Sequence, residues 1–388
     1  MPFYSSNYAK SRRRFLGWTA TAGLGFGLTL HGCQSGRQSA TSENQPSQQA
    51  FSGQTLRVFI YSGAWEKVTR ESFVPKFQAK TGATVIPDPG WWDSIPKLKA
   101  SPPGDPAFDL VLTDATQGYP AIKEGLFQKI DMSRLTNKDK LSPSVLDNWV
   151  YKEGYGVTFP ESVMTLAYNK ELINFTPTSW GDLLKDEVKG KLGIYNSFYM
   201  SLYTFACMKV AQEGKPGTAA AEITNNLPGV IEFTKANRDR VKYWWPTSTD
   251  MALNLSQKNC VMGNMHSPDM LIAMRQKPEL AAVVPEPDRA FVQLMWLIPT
   301  GTKHKELAEE AMNFLIGEQM QTEFAKNGSM TAVLSVAQQV AAKDSFWKQI
   351  YPSTEAQLKQ IRYYPYEAYF KHWNDIVSAW DQEILRKA

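Results

Sequence analysis

Short apolar runs alternate with segments of helical period along most of the chain. "TLRVFIYSG" (55–63) reads as a buried strand closed by Gly63. The segment 68–82 spaces Val68, Phe73 and Phe77 along one helical face and stops at Gly82. "ATVIPD" predicts a second strand, "DSIPKLKAS" a short helix, "AFDLVLTD" (107–114) a third strand and "YPAIKEGLF" a helix. Strands alternating with helices argue for a mostly parallel sheet with crossovers, in which ligands bind outside the carboxyl ends of strands. Tyr61 to Trp65, Asp88 to Asp93 and Thr113 to Thr116 follow those strands and become the residues to watch.

The pattern continues beyond residue 155. "YGVTFPESVMTLAYNKELI" reads as two extended segments around Pro160. Helix-like "SWGDLLKDE", strand "GKLGIYN" and helix "SFYMSLYTFACMKVAQ" follow, then a polar stretch from Glu213 to Asn226. Helix "LPGVIEFTKAN", strand "VKYWW", helix "TDMALNLSQKN" and strand "CVMGNM" complete a second α/β region. "AFVQLMWLIP" is a long extended run, "HKELAEEAMNFLIGEQMQTEFAKNG" one amphipathic helix, and "EAYFKHWNDIVSAWDQEIL" another. No internal repeat is present.

The first 54 residues follow a different rule. Arg12, Arg13 and Arg14 precede a weakly apolar run from Leu16 to Leu30, which with its glycines and threonines discounted supplies about half of the ~20 apolar residues that span a bilayer. That is the layout of an export signal, and a surface helix with a basic cap would need a polar face this run lacks. Ser11-Arg12-Arg13-Arg14-Phe15-Leu16 resembles a twin-arginine motif. Leu30-His31-Gly32-Cys33 resembles a lipobox, with His31 where a small residue is usual, and implies an acylated Cys33 at the mature N-terminus. Residues 34–54 are Ser/Gln-rich, cannot bury enough surface to order themselves, and read as a flexible tether.

Charge changes meaning once the leader is set aside. The formal net charge is +4, but losing Lys10, Arg12, Arg13 and Arg14 takes Lys+Arg from 42 to 38, against 38 Asp+Glu. A near-neutral mature chain without a dense basic stripe gives no argument for nucleic acid. Cys207 and Cys260 sit in apolar runs and read as buried free thiols. The roughly 330 residues that remain exceed one typical core, so two lobes are expected.

Chemistry of the enzymatic kind finds little support. His266, His304 and His372 lie far apart with no metal-ligand spacing, and there is no nucleophile elbow or phosphate-binding loop. No cofactor or metal is expected. A secreted hydrolase remains open, as does a tyrosine-based ferric site around "RYYPYEAYF", which otherwise packs a terminal helix. The unusual feature is aromatic density at strand ends: Trp65, Trp91, Trp92, Trp244, Trp245 and Trp296. Indole faces hold methylene chains and ammonium groups, and nearby carboxylates pair with the ammoniums. Asp88, Asp93, Asp114, Glu161, Asp250 and Asp269 are the candidate acids, although Asp250 also suits a helix cap and Asp88 a turn.

"KFQAKTGATVI", "FDLVLTDATQGYPAIKEGLFQKID", "SWGDLLKDEVKGKLGIYN" and "WLIPTGTKHKELAEEAMNFL", in this order, resemble the spermidine/putrescine-binding family of extracellular solute-binding proteins of ABC importers. The likeness covers roughly residues 55 to 340. It implies a type II periplasmic-binding-protein fold: two α/β lobes joined by crossover strands at 157–162 and 291–298, with a ligand between them. The implied division is export signal 1–32, tether 33–54, lobe one 55–158, lobe two 159–290, a return to lobe one at 291–340, and C-terminal helices at 341–388 packing on lobe two. It further implies a monomer in the periplasm serving a permease and its ATPase, and the lipobox-like Cys33 would tether that monomer by lipid.

For the site, strand ends and resemblance together give Tyr61, Trp65, Asp88, Trp91, Trp92, Asp114, Glu161, Ser197, Trp244, Asp250 and Trp296. The family's charge-reading acids are replaced: Leu294 stands before the "IP" pair, and Ser197 and Met200 follow "LGIYN". A buried diamine without partners suffers several kcal/mol of uncompensated desolvation, of the order found for unpaired buried charges. Either Asp88, Asp114 or Glu161 substitutes, or the ligand is a zwitterion or organic anion held at the helix starts near Ser197 and Asp250. With an unperturbed acid, binding of an amine would weaken near pH 4.

Overall fold

The computed structural model describes residues 50–385. The export signal expected at Arg12 and Arg13 and the acylation expected at Cys33 lie outside the described residues. The body begins slightly before Thr55. The Phe51 N–H donates to the Thr81 carbonyl at 3.1 Å, and the Thr84 N–H to the Gln54 carbonyl at 2.9 Å, so one aromatic pins the end of the polar stretch.

The described residues form nine strands: β1 (Thr55–Tyr61), β2 (Thr84–Gly90), β3 (Leu110–Asp114), β4 (Gly156–Asn169), β5 (Leu192–Tyr195), β6 (Val241–Trp245), β7 (Met262–His266), β8 (Leu280–Val283) and β9 (Phe291–Leu297). Their order is β2-β1-β3-β9-β4-β7-β5-β6, with β8 also on β4. β1 pairs in parallel with β2 and β3, and β5 with β6 and β7. The four pairings β3–β9, β4–β9, β4–β7 and β4–β8 are antiparallel. Two parallel α/β regions are thus joined through β4 and β9. The sheet is more mixed than strand–helix alternation suggests, because the joining strands run against their neighbours.

β4 is one strand and not two segments around Pro160. Its first part pairs with β9, its second with β7 and β8. The register shifts between Pro160, opposite Gln293, and Val163, opposite Phe291. A bulge here accommodates the missing proline N–H without ending the strand. It also takes Glu161 and Ser162 out of the pairing register.

Three helical expectations change similarly. The segment 68–82 is a helix at Ala64–Val68, a π-helical turn at Thr69–Phe73 and a helix at Val74–Thr81 with Pro75 in its first turn. Pro75 cannot donate an i→i−4 bond, and a wider turn at this point fits that loss. Gly82 ends it in the left-handed conformation, φ 73°, its N–H bonded to the Gln78 carbonyl. The long amphipathic helix breaks at Gly317 into Lys305–Leu315 and Glu318–Lys326. The polar stretch after Glu213 holds a further helix, Ala219–Asn225, whose start is fixed by the buried Asp288 accepting the Gly217 and Ala219 N–H groups at 2.8 and 2.9 Å.

The C-terminal tyrosines are packing groups. Tyr366 Oη accepts the Gln293 N–H at 3.1 Å, and Tyr369 Oη donates to the Tyr199 carbonyl at 2.8 Å. The segment touches both sides of the join: Tyr366 and Phe370 meet Tyr119, while Trp373 meets Phe198. Cys207 and Cys260 are buried free thiols, and burial pushes the Cys260 thiol up to about 12, so both are poor nucleophiles. No helix among the described residues is long and apolar enough to cross a membrane.

Candidate functional site

Strand carboxyl ends from both regions face one cavity of about 500 Å³. From the first region come Tyr61 at the end of β1, Trp65 in the helix that follows, Trp91 and Trp92 after β2, and Asp114 at the end of β3. Glu161 and Ser162 enter from the bulge in β4, and Val292 and Leu294 from β9. The second region supplies Tyr195 at the end of β5, with Ser197, Tyr199 and Met200 at the start of the Phe198–Gln212 helix. Trp245 ends β6 and is followed by Thr247, Ser248 and Thr249, while His266 ends β7 and is followed by Pro268 and Asp269.

The aromatic walls are paired rings. Tyr61 stacks on Trp91 at 5.6 Å between centroids, and Tyr195 on Trp245 at 4.2 Å. Trp245 Nε1 donates to the Asn264 carbonyl at 3.1 Å, locking the second pair. Trp65 lies against Phe324 and donates from Nε1 to Glu161 Oε1 at 3.4 Å.

Seven of the eleven sequence-derived positions therefore meet in this cavity: Tyr61, Trp65, Trp91, Trp92, Asp114, Glu161 and Ser197. Four do not line it. Asp88 is on β2, within 3.3 Å of Lys97 Nζ, which also holds Asp93 at 2.9 Å. Trp244 points to the opposite face of β6 from Trp245, packing on Trp380 at 5.5 Å and Phe205 at 6.2 Å, because successive strand residues alternate faces. Asp250 accepts the Thr247 hydroxyl at 2.6 Å, and its N–H donates back to that oxygen, so it completes a helix cap. Trp296 is buried on β9 behind Trp65.

Tyr195, Tyr199, Trp245, His266 and the Thr247–Thr249 run were not among those eleven. The strand-end rule applied to β5, β6 and β7 finds Tyr195, Trp245 and His266. Tyr199 carries no such signal, since it sits inside a helix buried on nearly every side.

The electrostatics of the cavity are one-signed. Asp114, Glu161 and Asp269 line it, and no Lys or Arg does among the described residues. Burial pushes the Glu161 carboxyl up to about 7; hydrogen bonds from Ser162, Trp65 and Ser329 oppose this, and the neighbouring Asp269 adds to it. The pH 4 expectation for an unperturbed acid therefore does not apply to Glu161. Burial also raises Asp114, against hydrogen bonds from Thr116 and Gln117 that make it the cap of the Ala115–Lys123 helix. His266 is pushed down by burial, with Asp269 acting the other way. Carboxylates without cationic partners, set among indole and phenol faces, suit a ligand that brings positive charge.

The sequence from 72 to 351 matches the model of the bacterial extracellular solute-binding protein family. Among curated proteins, the chain is 25% identical over 305 residues to the spermidine/putrescine-binding periplasmic protein of Salmonella typhimurium, covering 76% of this chain and 84% of that one. Among solved structures it resembles the spermidine/putrescine ABC transporter substrate-binding protein PotD of Streptococcus pneumoniae (TM-score 0.68, 16% identity, 85% and 99% of the two chains). It also resembles the periplasmic binding protein AgtB of A. tumefaciens R10, solved with agropinic acid (TM-score 0.66, 16% identity, 86% and 99%). These structural likenesses establish the fold as the two-lobed type II arrangement, with the cavity between lobes joined by β4 and β9. On the span of the family match, the chain belongs to the bacterial extracellular solute-binding proteins.

Proposed function

We propose that the protein is the solute-binding subunit of an ABC importer and that it captures a small organic amine, with the polyamines spermidine and putrescine the first to test. The observation that carries this reading is the sign of the cleft: among the described residues, three carboxylates and no Lys or Arg line it between aromatic walls. The polyamine named for the Salmonella relative supports it. Trp91 and Tyr195, the latter backed by the buried Trp245, would flank the methylene chain and Glu161 would pair with an ammonium. Capture would close lobe one (55–158 with 291–340) on lobe two (159–290) about the two joining strands, and the closed monomer would deliver ligand to the permease.

Calorimetry and thermal shift of the mature chain with spermidine, putrescine and monoamines test the reading. A ligand well above its Kd raises the melting midpoint by mass action. Absence of heat and shift with every amine at millimolar concentration would overturn it. A second reading, a zwitterion or organic anion, draws support from the hydroxyls of Ser197, Thr247, Ser248 and Thr249 and from the loss of family acids at Leu294, Ser197 and Met200. The same screen with amino acids and carboxylates measures it.

The placement of the protein is part of the proposal. Arg12 and Arg13 would direct export through the twin-arginine route, and an acylated Cys33 would hold the body at the membrane on its polar tether. Changing Arg12, Arg13 and Arg14 to Lys would trap the precursor in the cytoplasm. Cys33→Ala would release the mature protein into the soluble periplasmic fraction, and membrane retention of that variant would remove the anchor from the proposal.

A further inference from the structure

The C-terminal segment is fastened to lobe two at the rim of the cleft. Trp373 opens the helix Trp373–Ala379 and sets its ring edge-on to Phe198, 4.7 Å between centroids at 89°. Trp380, just beyond that helix, donates from Nε1 to the Asn196 carbonyl at 2.9 Å, and Tyr369 Oη donates to the Tyr199 carbonyl at 2.8 Å. Residues 196–199 lead from β5 into the Phe198–Gln212 helix, and Ser197 and Tyr199 among them line the cavity. Trp373 is therefore tied to lobe two beside the cleft without lining it.

The same ring touches lobe one. Trp92 lines the cavity, and its ring lies 6.4 Å from that of Trp373 at 38°. The backbone around Trp92 is fixed to lobe one on both sides. The Trp92 carbonyl accepts from Gln117 Nε2 at 3.1 Å, the Trp91 N–H donates to Asp93 Oδ1 at 3.0 Å, and Lys97 holds Asp93 at 2.9 Å. Tyr366 and Phe370 also meet a ring of lobe one, Tyr119, but Tyr366 is bonded to the Gln293 N–H of β9 and so belongs to the join. Among the described residues, Trp92 on Trp373 is the ring contact between the lobes that involves no joining strand.

We infer that Trp92 and Trp373 form an aromatic latch that holds the lobes closed and slows release of the solute between them. Ring pairs attract out to about 7 Å between centroids, and this pair sits near that limit. An opening of about 1–2 Å at this side would therefore break it, while the tighter Phe198–Trp373 pair, internal to lobe two, stays made. Opening also returns apolar area of both indoles to water. The contact exists only in the closed arrangement, so its whole free energy favours closed over open. Trp373 is a positioning residue, acting on the ligand through Trp92 and Phe198. The latch needs lobes that open and close, and it holds for whichever solute the cleft takes.

Lobe separation can be read by double electron–electron resonance on the mature chain carrying Cys33→Ala. Spin labels go at Lys123→Cys in lobe one and Asn225→Cys in lobe two, both exposed positions, while Cys207 and Cys260 are buried. Trp373→Ala should lower the ratio of short-distance to long-distance populations about three- to tenfold, the scale of one aromatic pair, and Trp373→Phe should restore most of it. Trp92→Ala should give the same shift, and adding it to Trp373→Ala should change nothing more, because both remove one contact. With spermidine as the probe, Trp373→Ala should raise the dissociation rate in stopped-flow fluorescence by the same factor and leave the association rate within about twofold. A distance distribution unchanged by Trp373→Ala, additive effects of the two substitutions, or a lower melting midpoint with unchanged release would overturn the latch and leave Trp373 as packing for the C-terminal helix. Failure of the parent to bind any amine would overturn the organic-amine reading alone, and the distance measurement then decides the latch.

Discussion

Trp245 and Trp91 face the same cavity, yet Trp245 is fully buried while Trp91 is 59% exposed. Trp245 is stacked on Tyr195, bonded to the Asn264 carbonyl and edged by His266. Trp91 and Trp92 follow β2 in a loop, and Trp92, 41% exposed, meets only the edge of the C-terminal segment at Trp373 among rings. One lobe thus offers a wall built by the core, and the other a wall whose rings still have apolar surface to bury. A ring of the first kind stabilises the fold, and one of the second kind contributes when ligand arrives.

The largest expected effect breaks the built wall. Trp245→Ala should cost about 3–5 kcal/mol in urea unfolding, the range for truncating a buried aromatic, whereas Trp91→Ala should stay within about 0.5 kcal/mol. Equal losses would erase the distinction.

Glu161 sits beneath the walls and gives the next effect. Its carboxyl is raised from 4.5 to about 7 in the folded chain, so the folded state holds a proton that the unfolded state releases. Stability contributed by this group is therefore full below about 4.5 and lost as pH rises to about 7. Glu161→Gln should be more stable than the parent above pH 7 by at most about 3 kcal/mol, and the gap should vanish near pH 4. A gap independent of pH in parallel denaturation curves would refute the assignment. The same proton opposes cation capture, so amine affinity should fall by up to about tenfold per pH unit below 7 in the parent and stay level in the variant.

Smaller effects sharpen the contrast at the level of binding. Trp91→Ala should weaken amine binding by about 1–3 kcal/mol with little change in melting temperature. Trp244→Ala, one residue from Trp245 but on the far face of β6, should leave Kd unchanged within about 0.5 kcal/mol, read by the same calorimetry. A large loss of affinity there would mean that β6 presents its other face to the ligand.

Much of the scaffold was legible because its signals are local. The apolar runs of β1, β3, β5 and β7, the Gly82 stop and the helix after Ser197 depend on residues adjacent in the chain. The strand-end rule led to Tyr61, Trp65, Trp91, Trp92 and Asp114 for the same reason. Neighbouring identical residues defeated it: "WW" at 244–245 carries no alternation, so only the pairing of β6 with β5 fixes which indole faces inward.

The sequence by itself determined the element types, the two α/β regions and the candidate set of aromatics and acids, since period and turn chemistry are properties of short segments. Only the tertiary structure decided which acids are free to act. Asp88 is taken by Lys97, Asp250 by Thr247, and Asp114 half-engaged by its own helix. Glu161 reaches the cleft because a proline bulge turns it out of the β4 register, and its proton affinity is set by burial beside Trp65, Asp269 and Ser329. Tyr199 owes its orphan hydroxyl to helix packing against the C-terminal tyrosines. Partnering and desolvation join groups far apart in sequence, and no local pattern encodes them.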